Sequence, residues 1–240
     1  MANKITRHIP NIITCCNLIS GCVATVMAIY GELWLALLFI VIGAVFDFFD
    51  GMTARLLHIS SPIGKELDSL ADVITFGLAP SAMLFHQLAV LEYPFGSVCR
   101  CQIAVFLPFA AFLMTAFSAL RLAKFNLDER QTTSFIGLPT PANALFWGSL
   151  LLGLDRQMET VNWAPLALIA LMLLSCWLLV AELPMFALKF KNWGWKGNEV
   201  RYVFVLSCIP LLIIFKGLAF AIIIAWYVLL SVYVNATKKQ

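Results

Sequence analysis

The chain has 240 residues, of which 62% are hydrophobic and only 12% charged, and its mean hydropathy is +0.91. This balance excludes an ordinary soluble domain, in which about a quarter of the residues are charged, and it predicts an all-α polytopic transmembrane bundle. The formal net charge of +3 is attributed to membrane topology and contact with anionic membrane lipids, and no nucleic-acid partner is expected.

Eight apolar segments are candidate membrane spans, because a hydrocarbon core about 30 Å thick requires roughly 20 apolar residues per helix. A very short turn separates the last two segments, so seven spans are the alternative. No linker or long run of charges divides the chain, which predicts one integral-membrane domain over residues 1–240. The segments cover residues 11–30, 33–57, 63–90, 100–123, 139–155, 162–182, 201–215 and 217–235.

The basic residues predict the orientation of the chain in the membrane. If the N-terminus is cytoplasmic, 13 of the 16 Lys and Arg residues fall on the cytoplasmic side, as the positive-inside rule requires. This distribution needs an even number of spans and therefore favours eight over seven. We expect a multi-pass protein of the cell (inner) membrane with both termini, and the active site, toward the cytoplasm.

The second and third segments carry acidic residues where lipid-facing helices carry none. The stretch AVFDFFDGMTARLL, residues 44–57, contains Asp47 and Asp50, and the following segment adds Asp68 and Asp72. An aspartate at the centre of a membrane helix costs roughly 2.5 to 3.5 kcal/mol on insertion scales. Four of them in two adjacent segments indicate a functional site.

Helical spacing brings the four aspartates together. Asp47 and Asp50 share one helix face, Asp68 and Asp72 share another, and the turn HISSPIG, residues 58–64, joins the two helices as an antiparallel hairpin. At about 1.5 Å of rise per residue, the two pairs lie at comparable depth and face each other. Small residues on the same faces, Gly51, Ala54 and Gly64, let a bulky ligand approach the backbone.

Facing carboxylates in a low-dielectric site stay ionised only if cations neutralise them. Oxygen ligands alone predict a hard divalent cation, Mg²⁺ or Mn²⁺, with Ca²⁺ as an inhibitory or structural substitute. The seven cysteines show no paired CxxC spacing and the chain has three histidines, so zinc is not expected. Because Mg²⁺ usually shares its ligands with phosphate oxygens, we expect a diphosphate substrate, with Arg55 in reach of a phosphate.

Residues 47–72, DFFDGMTARLLHISSPIGKELDSLAD, resemble the CDP-alcohol phosphotransferase signature D-x2-D-G-x2-A-R-x8-G-x3-D-x3-D at every fixed position. The resemblance implies a six-helix catalytic core, usually dimeric, to which the last two spans here are additions. It also implies an enzyme that moves a phosphatidyl-type group from a CDP-linked donor to an alcohol and releases CMP. Two metal ions would be held by Asp47, Asp50, Asp68 and Asp72.

Four further stretches resemble one branch of that family, the membrane-embedded bacterial and archaeal phosphatidylserine synthases. They are IPNIITCCNLISG near the N-terminus, DSLADVITFGLAPS at 68–81, RLAKFN at 121–126 and FIGLPTPANA at 135–144. The branch implies CDP-diacylglycerol as donor, L-serine as acceptor and direct transfer, with Asp72 as general base. The donor would be bound by Gly51, Ala54, Arg55, Gly64 and Asn17.

Some roles keep two interpretations. Asn17 either hydrogen-bonds the nucleotide or holds a neighbouring helix. Arg121, Lys124 and Asn126 either bind the serine carboxylate or anchor the end of a helix at the cytoplasmic surface.

Two other functions are weighed against serine transfer. Glycerol 3-phosphate or inositol phosphate as acceptor, as in phosphatidylglycerophosphate and phosphatidylinositol phosphate synthases, would call for a dense basic cluster that the sequence lacks. A cation-coupled transporter would also carry intramembrane carboxylates, but such proteins commonly repeat their interrupted helices in both halves. Here the acidic hairpin occurs once.

Overall fold

The computed structural model describes residues 8–59, 61–94, 103–127, 135–185, 194 and 198–238, which form an almost entirely helical bundle. Its α-helices are α1 Ile9–Ile29, α2 Leu33–Leu56, α3 Pro62–Asp72, α4 Ala79–Val90, α5 Ile103–Phe106, α6 Leu113–Leu127, α7 Thr140–Met158, α8 Ala164–Val180, α9 Glu199–Phe215 and α10 Ala219–Lys238. A π-helical turn, Val73–Leu78, joins α3 to α4, and 3₁₀ turns occupy Leu107–Phe112 and Lys216–Leu218. Strands β1 Phe135–Ile136 and β2 Pro184–Met185 pair antiparallel.

Each predicted span coincides with helix in the described part of the chain, which confirms the all-α polytopic architecture. Five helical stretches are long and apolar enough to cross a membrane: Ile9–Ile29, Leu33–Leu56, Pro62–Val90, Leu107–Leu127 and Glu199–Thr237. Helix α8 is a shorter apolar helix. Eight of the basic residues used to predict orientation lie outside the described residues: Lys4, Arg7, Arg100, Arg130, Lys189, Lys191, Lys196 and Lys239.

The stretch Glu199–Thr237 folds back on itself as an antiparallel hairpin. The indole Nε1 of Trp226 donates a hydrogen bond to Ser207 Oγ at 3.1 Å, whereas residues so far apart in a continuous helix would be separated by about 28 Å. The reversal occurs at Lys216, whose φ of +43° interrupts the helix. The last two predicted segments are therefore separate helices, which favours eight spans over seven.

The reversal at Lys216 is docked on the middle of α7. The hydroxyl of Ser149 donates to the carbonyl of Gly217 at 2.6 Å and accepts from the amide of Ala221 at 3.2 Å. A Cβ on Gly153 would come within 2.4–3.0 Å of Leu218, so the small residue permits this contact. These bonds attach the C-terminal hairpin to the rest of the bundle.

Helix α1 packs closely against α2 and the π-helical turn, because small residues line the contact. A Cβ on Gly43 would lie 2.5 Å from Thr75 Cγ2 and 3.0 Å from Asn17 Oδ1, and a Cβ on Gly21 would overlap Thr75. The Thr75 hydroxyl donates to the main-chain carbonyl of Asn17 at 3.0 Å. This packing brings α1 within hydrogen-bonding distance of the aspartates on α2 and α3.

The π-helical turn after Asp72 was not predicted from sequence, and its cause lies in Pro80. Proline has no N–H, so it cannot continue the α-helical ladder to a carbonyl four residues earlier. The amide of Ala79 instead bonds the carbonyl of Ile74, five residues back. The carbonyl of Gly77 accepts hydroxyl bonds from Ser81 at 2.7 Å and Thr115 at 3.3 Å.

Candidate metal and nucleotide site

Three of the four predicted aspartates meet between α2 and α3, a few residues from the turn that joins the two helices. One carboxylate oxygen each of Asp47, Asp50 and Asp68 lies within 4.8 Å of the others. Helix α2 ends at Leu56 and α3 begins at Pro62, with the Ser61 hydroxyl accepting the Gly64 amide as N-cap at 3.0 Å. The hairpin predicted from helical spacing is therefore confirmed, and it sets the two aspartate-bearing faces opposite each other.

The chemistry of this cluster fits a divalent cation. One carboxylate oxygen of Asp47 lies within 4.8 Å of one of Asp68, and Asp68 Oδ1 is buried with no hydrogen-bond partner among the described residues. Ionised carboxylates so close together repel each other unless a cation lies between them. A buried carboxylate oxygen that accepts no hydrogen bond has lone pairs available to bind a metal ion. A site whose ligand atoms are all oxygen suits a hard ion.

Asp72 stands apart from this trio. It is buried, 8% exposed, and its Oδ1 accepts a bond from Asn17 Nδ2 at 3.3 Å. It is close enough to Asp47 and Asp68 to interact with them electrostatically. Asn17, on α1, is therefore a neighbour of Asp72, at the end of α3. Asn17 is not among the residues that line the cavity described below.

A residue that the sequence analysis missed holds Asp50. The hydroxyl of Thr14 donates to Asp50 Oδ2 at 2.6 Å, and Thr14 is only 3% exposed. The signal was present in α1, where polar and small residues recur every three or four positions on one face. The buried members of that face are Pro10, Thr14, Asn17, Ser20, Gly21, Ala24 and Ala28.

A cavity of about 280 Å³ opens beside the cluster. Asp50 and Asp68 line it together with Gly51, Ala54 and Gly64, the small residues predicted to admit the donor. The remaining lining residues, which the sequence analysis did not assign to the site, are Pro10, Asn11, Thr14, Ile59, Ser61 and Lys65.

Of the two basic residues in this part of the structure, Lys65 lines the cavity, whereas Arg55 is not among its lining residues. A Cβ on Gly51 would lie 3.4 Å from Arg55 Nη1, so the guanidinium folds back over Gly51. A Cβ on Gly64 would approach Ser61 Oγ at 2.9 Å and Asn11 Oδ1 at 3.1 Å, so glycine keeps this side open. The cavity therefore brings the carboxyl groups of Asp50 and Asp68 together with Lys65, whose ammonium group suits a phosphate oxygen.

The three residues predicted to bind serine have different surroundings. Arg121 is 7% exposed, interacts electrostatically with Asp72, and donates to Thr140 Oγ1 at 3.4 Å, while its Nε has no hydrogen-bond partner in the described chain. Asn126 has other partners. Its side-chain Nδ2 donates to Ser69 Oγ at 2.7 Å, and its main-chain carbonyl accepts from Lys65 Nζ at 2.9 Å. Lys124 is exposed. Arg121 therefore interacts with Asp72, and Asn126 contacts Ser69, the residue that follows Asp68.

Comparison with known proteins identifies the family. A family model described as CDP-alcohol phosphatidyltransferase matches residues 7–233, a range that includes the aspartate signature and every described helix up to α10. The resemblance inferred from residues 47–72 is confirmed.

Three similar proteins share the same name. The chain is 42% identical over 136 residues to a CDP-diacylglycerol–serine O-phosphatidyltransferase of Bacillus subtilis, covering 56% of this chain and 70% of that protein. It is 35% identical over 138 residues to a protein of the same name from Helicobacter pylori, with 57% of this chain and 54% of that protein covered. A Methanocaldococcus jannaschii protein so named is 30% identical over 169 residues, with 70% and 71% covered.

Proposed function

Because the chain belongs to the CDP-alcohol phosphatidyltransferase family, we propose that it transfers the phosphatidyl group of CDP-diacylglycerol to the hydroxyl of L-serine and releases CMP. The observation that carries the proposal is the Asp47, Asp50 and Asp68 cluster beside a cavity that is lined by Gly51, Ala54, Gly64 and the basic residue Lys65. The names of the similar bacterial and archaeal proteins support serine as acceptor.

Asp47, Asp50 and Asp68, with Asp72 as a further carboxylate, would hold the divalent cations, either Mg²⁺ or Mn²⁺. When bound, the cations would neutralise the negative charge of the diphosphate and of the departing CMP. Thr14 fixes one oxygen of Asp50, which orients the carboxylate before metal binds. The Arg55 guanidinium lies close to Gly51, a residue of the cavity lining, and from there would pair with a donor phosphate.

Asp72 is the proposed general base. The serine hydroxyl oxygen attacks the phosphorus that carries the diacylglycerol, the bond from that phosphorus to the bridging oxygen breaks, and CMP leaves. The hydroxyl proton passes to a carboxylate, and Asp72 is suited to accept it because it lies outside the close trio. Asn17 holds Asp72 Oδ1, leaving Oδ2 for the proton.

Arg121 is the proposed contact for the serine carboxylate. Its buried guanidinium lies beside Asp72 and keeps an Nε–H without a partner among the described residues. A carboxylate is the natural partner for such a donor, since Arg binds carboxylates through paired N–H bonds. Lys124 would contribute positive charge at the C-terminal end of α6, and Asn126 would anchor that end of the helix.

Whole-protein features complete the proposal. We place a single domain over residues 1–240 in the cell (inner) membrane, with both termini and the cavity toward the cytoplasm, and we expect a homodimer surrounded by membrane lipids. The C-terminal hairpin would supply two antiparallel crossings in place of one, which supports the even number of crossings that this topology needs. Reporter fusions that are active only in the cytoplasm should be active at both ends, and activity at one end alone would contradict this topology.

The acceptor is tested with purified protein, labelled CDP-diacylglycerol and Mn²⁺. Serine, glycerol 3-phosphate, inositol and inositol phosphate are offered separately, and CMP and the lipid product are quantified. Only serine should give rapid CMP release together with a phosphatidylserine product. Faster turnover with a phosphorylated acceptor would assign this chain a different activity of the same family. Absence of CMP release with all four acceptors would contradict the proposal.

A further inference from the structure

The segment that leads into α7 is held against the end of α8 and the residues after it by main-chain bonds. Strand β1 pairs with β2, and the amides of Gly137 and Leu138 donate to the carbonyls of Leu183 at 2.9 Å and Leu178 at 3.0 Å. Gly137 has a φ of +76°, and a Cβ there would lie 2.8 Å from a carbonyl oxygen of α8, so the turn requires glycine. The first turn of α7, which begins at Thr140, therefore has a fixed position.

This turn meets the buried guanidinium of Arg121 on α6. Arg121 Nη1 donates to the hydroxyl of Thr140 at 3.4 Å, and Arg121 Cζ lies 5.4 Å from the centre of the Phe125 ring. Arg121 is 7% exposed, and Thr140 is completely buried. Thr140 is also the first residue of α7, a helix of 19 residues. Contacts from α6 and α7 therefore fix the guanidinium at the N-terminus of α7.

The arrangement places two positive features side by side. The N-terminal end of a helix carries a partial positive charge, because its first amides have no partner within the helix. The guanidinium of Arg121 adds a full charge, and its Nε has no hydrogen-bond partner among the described residues. A buried cation at the positive end of a helix is unfavourable unless an anion is bound beside it. This end of α7 is therefore suited to bind a small anion.

We propose that the carboxylate of the acceptor binds at the N-terminus of α7, against Arg121, and that Thr140 is the positioning residue that holds the guanidinium there. The inference rests on the proposed function and deepens it, since it names the helix end that recognises an amino acid as acceptor. Arg121 also interacts with Asp72, so an acceptor held by its carboxylate has its hydroxyl near the proposed general base. An alcohol without a carboxylate lacks this attachment.

The test measures three quantities in the presence of Mn²⁺: the KM for serine, kcat, and the affinity for CDP-diacylglycerol without acceptor. Thr140→Val keeps the shape of the side chain and removes the hydroxyl, whereas Thr140→Ser retains a hydroxyl. Thr25→Val is the matched control, because the Thr25 hydroxyl donates to the carbonyl of Gly21 within α1, at 2.8 Å.

Thr140→Val should raise the KM for serine by about tenfold, the effect of losing one hydrogen bond to a charged group, and leave kcat and donor affinity nearly unchanged. Thr140→Ser and Thr25→Val should resemble the original protein. An unchanged KM in Thr140→Val would overturn the inference. A parallel loss of kcat would also overturn it, and so would weaker donor binding, which would assign this helix end to the donor diphosphate.

A second measurement uses the unmodified protein. L-alanine has the carboxylate of serine but no hydroxyl, and in L-alaninamide the carboxylate is replaced by an uncharged amide. Alanine should therefore compete with serine at least about tenfold more strongly than alaninamide. Equal competition by the two compounds, or none by either, would overturn the inference. Failure of the proposed function appears differently, as an absence of serine transfer by the unmodified protein.

Discussion

At the scale of single residues, the site combines three carboxylates that meet with one that stands apart. Replacing Asp47, Asp50 or Asp68 by Asn keeps the size of the side chain but removes the charge that binds a cation. Each change should lower CMP release on the order of a hundredfold or more, while the protein still inserts in the membrane. The measurement is turnover at saturating Mn²⁺, and near-normal activity of any one variant would show that its aspartate is not an essential ligand.

Thr14 offers a finer test of how Asp50 is oriented. Thr14→Val is nearly isosteric but removes the hydroxyl that donates to Asp50 Oδ2, so the apparent affinity for Mn²⁺ should fall by about tenfold. Thr14→Ser retains a hydroxyl and is the matched control, expected to stay close to the original affinity. If Val and Ser behave alike in a metal titration, the hydroxyl has no role in positioning Asp50.

Asp72 separates the role of general base from that of metal ligand. Asp72→Asn should leave donor and metal binding nearly intact and depress the chemical step, because the serine proton has lost its acceptor. Donor affinity and single-turnover rate are measured across an Mn²⁺ titration. Recovery of the rate at saturating Mn²⁺ would instead assign Asp72 to metal binding.

At the scale of elements, the close contact of α1 with α2 and the π-helical turn positions Thr14 and Asn17. Gly43→Val would place new atoms against Thr75 and the Asn17 side chain, so we expect destabilisation of about 1 to 3 kcal/mol from overpacking and loss of turnover. Gly194→Ala is the control, since a Cβ there meets nothing within 4 Å among the residues that the structure describes. The thermal midpoint in detergent checks both, and equal midpoints would contradict the close packing.

The elements also show where sequence reasoning succeeds. The hairpin of α2 and α3 could be predicted because a turn rich in Ser, Pro and Gly separates two helices with aspartates at helical spacing. The π-helical turn could not, since its cause is a missing N–H at Pro80 combined with tertiary hydroxyl bonds to Gly77. Thr14 was missed because its uncharged hydroxyl belongs to a face of small and polar residues in α1, a pattern that is also typical of close helix packing.

At the scale of the whole molecule, the apolar segments that form helices could be predicted from hydropathy, but the mutual packing of the helices could not. The contact between Trp226 and Ser207 distinguishes two antiparallel helices from one long helix, and the sequence shows only a short turn at that point. Docking of the hairpin on Ser149 is likewise a tertiary feature. Sequence reasoning therefore reached the aspartate cluster but not the packing of the helices around it.

The central claim is that one aspartate site transfers the phosphatidyl group to serine with the help of divalent cations. Purified protein is incubated with CDP-diacylglycerol, labelled serine and Mn²⁺, and labelled phosphatidylserine is quantified beside CMP. We predict equal amounts of the two products, no product in excess chelator, and restoration when Mn²⁺ or Mg²⁺ is returned. Robust phosphatidylserine formation in excess chelator, or CMP release without serine incorporation, would contradict the account.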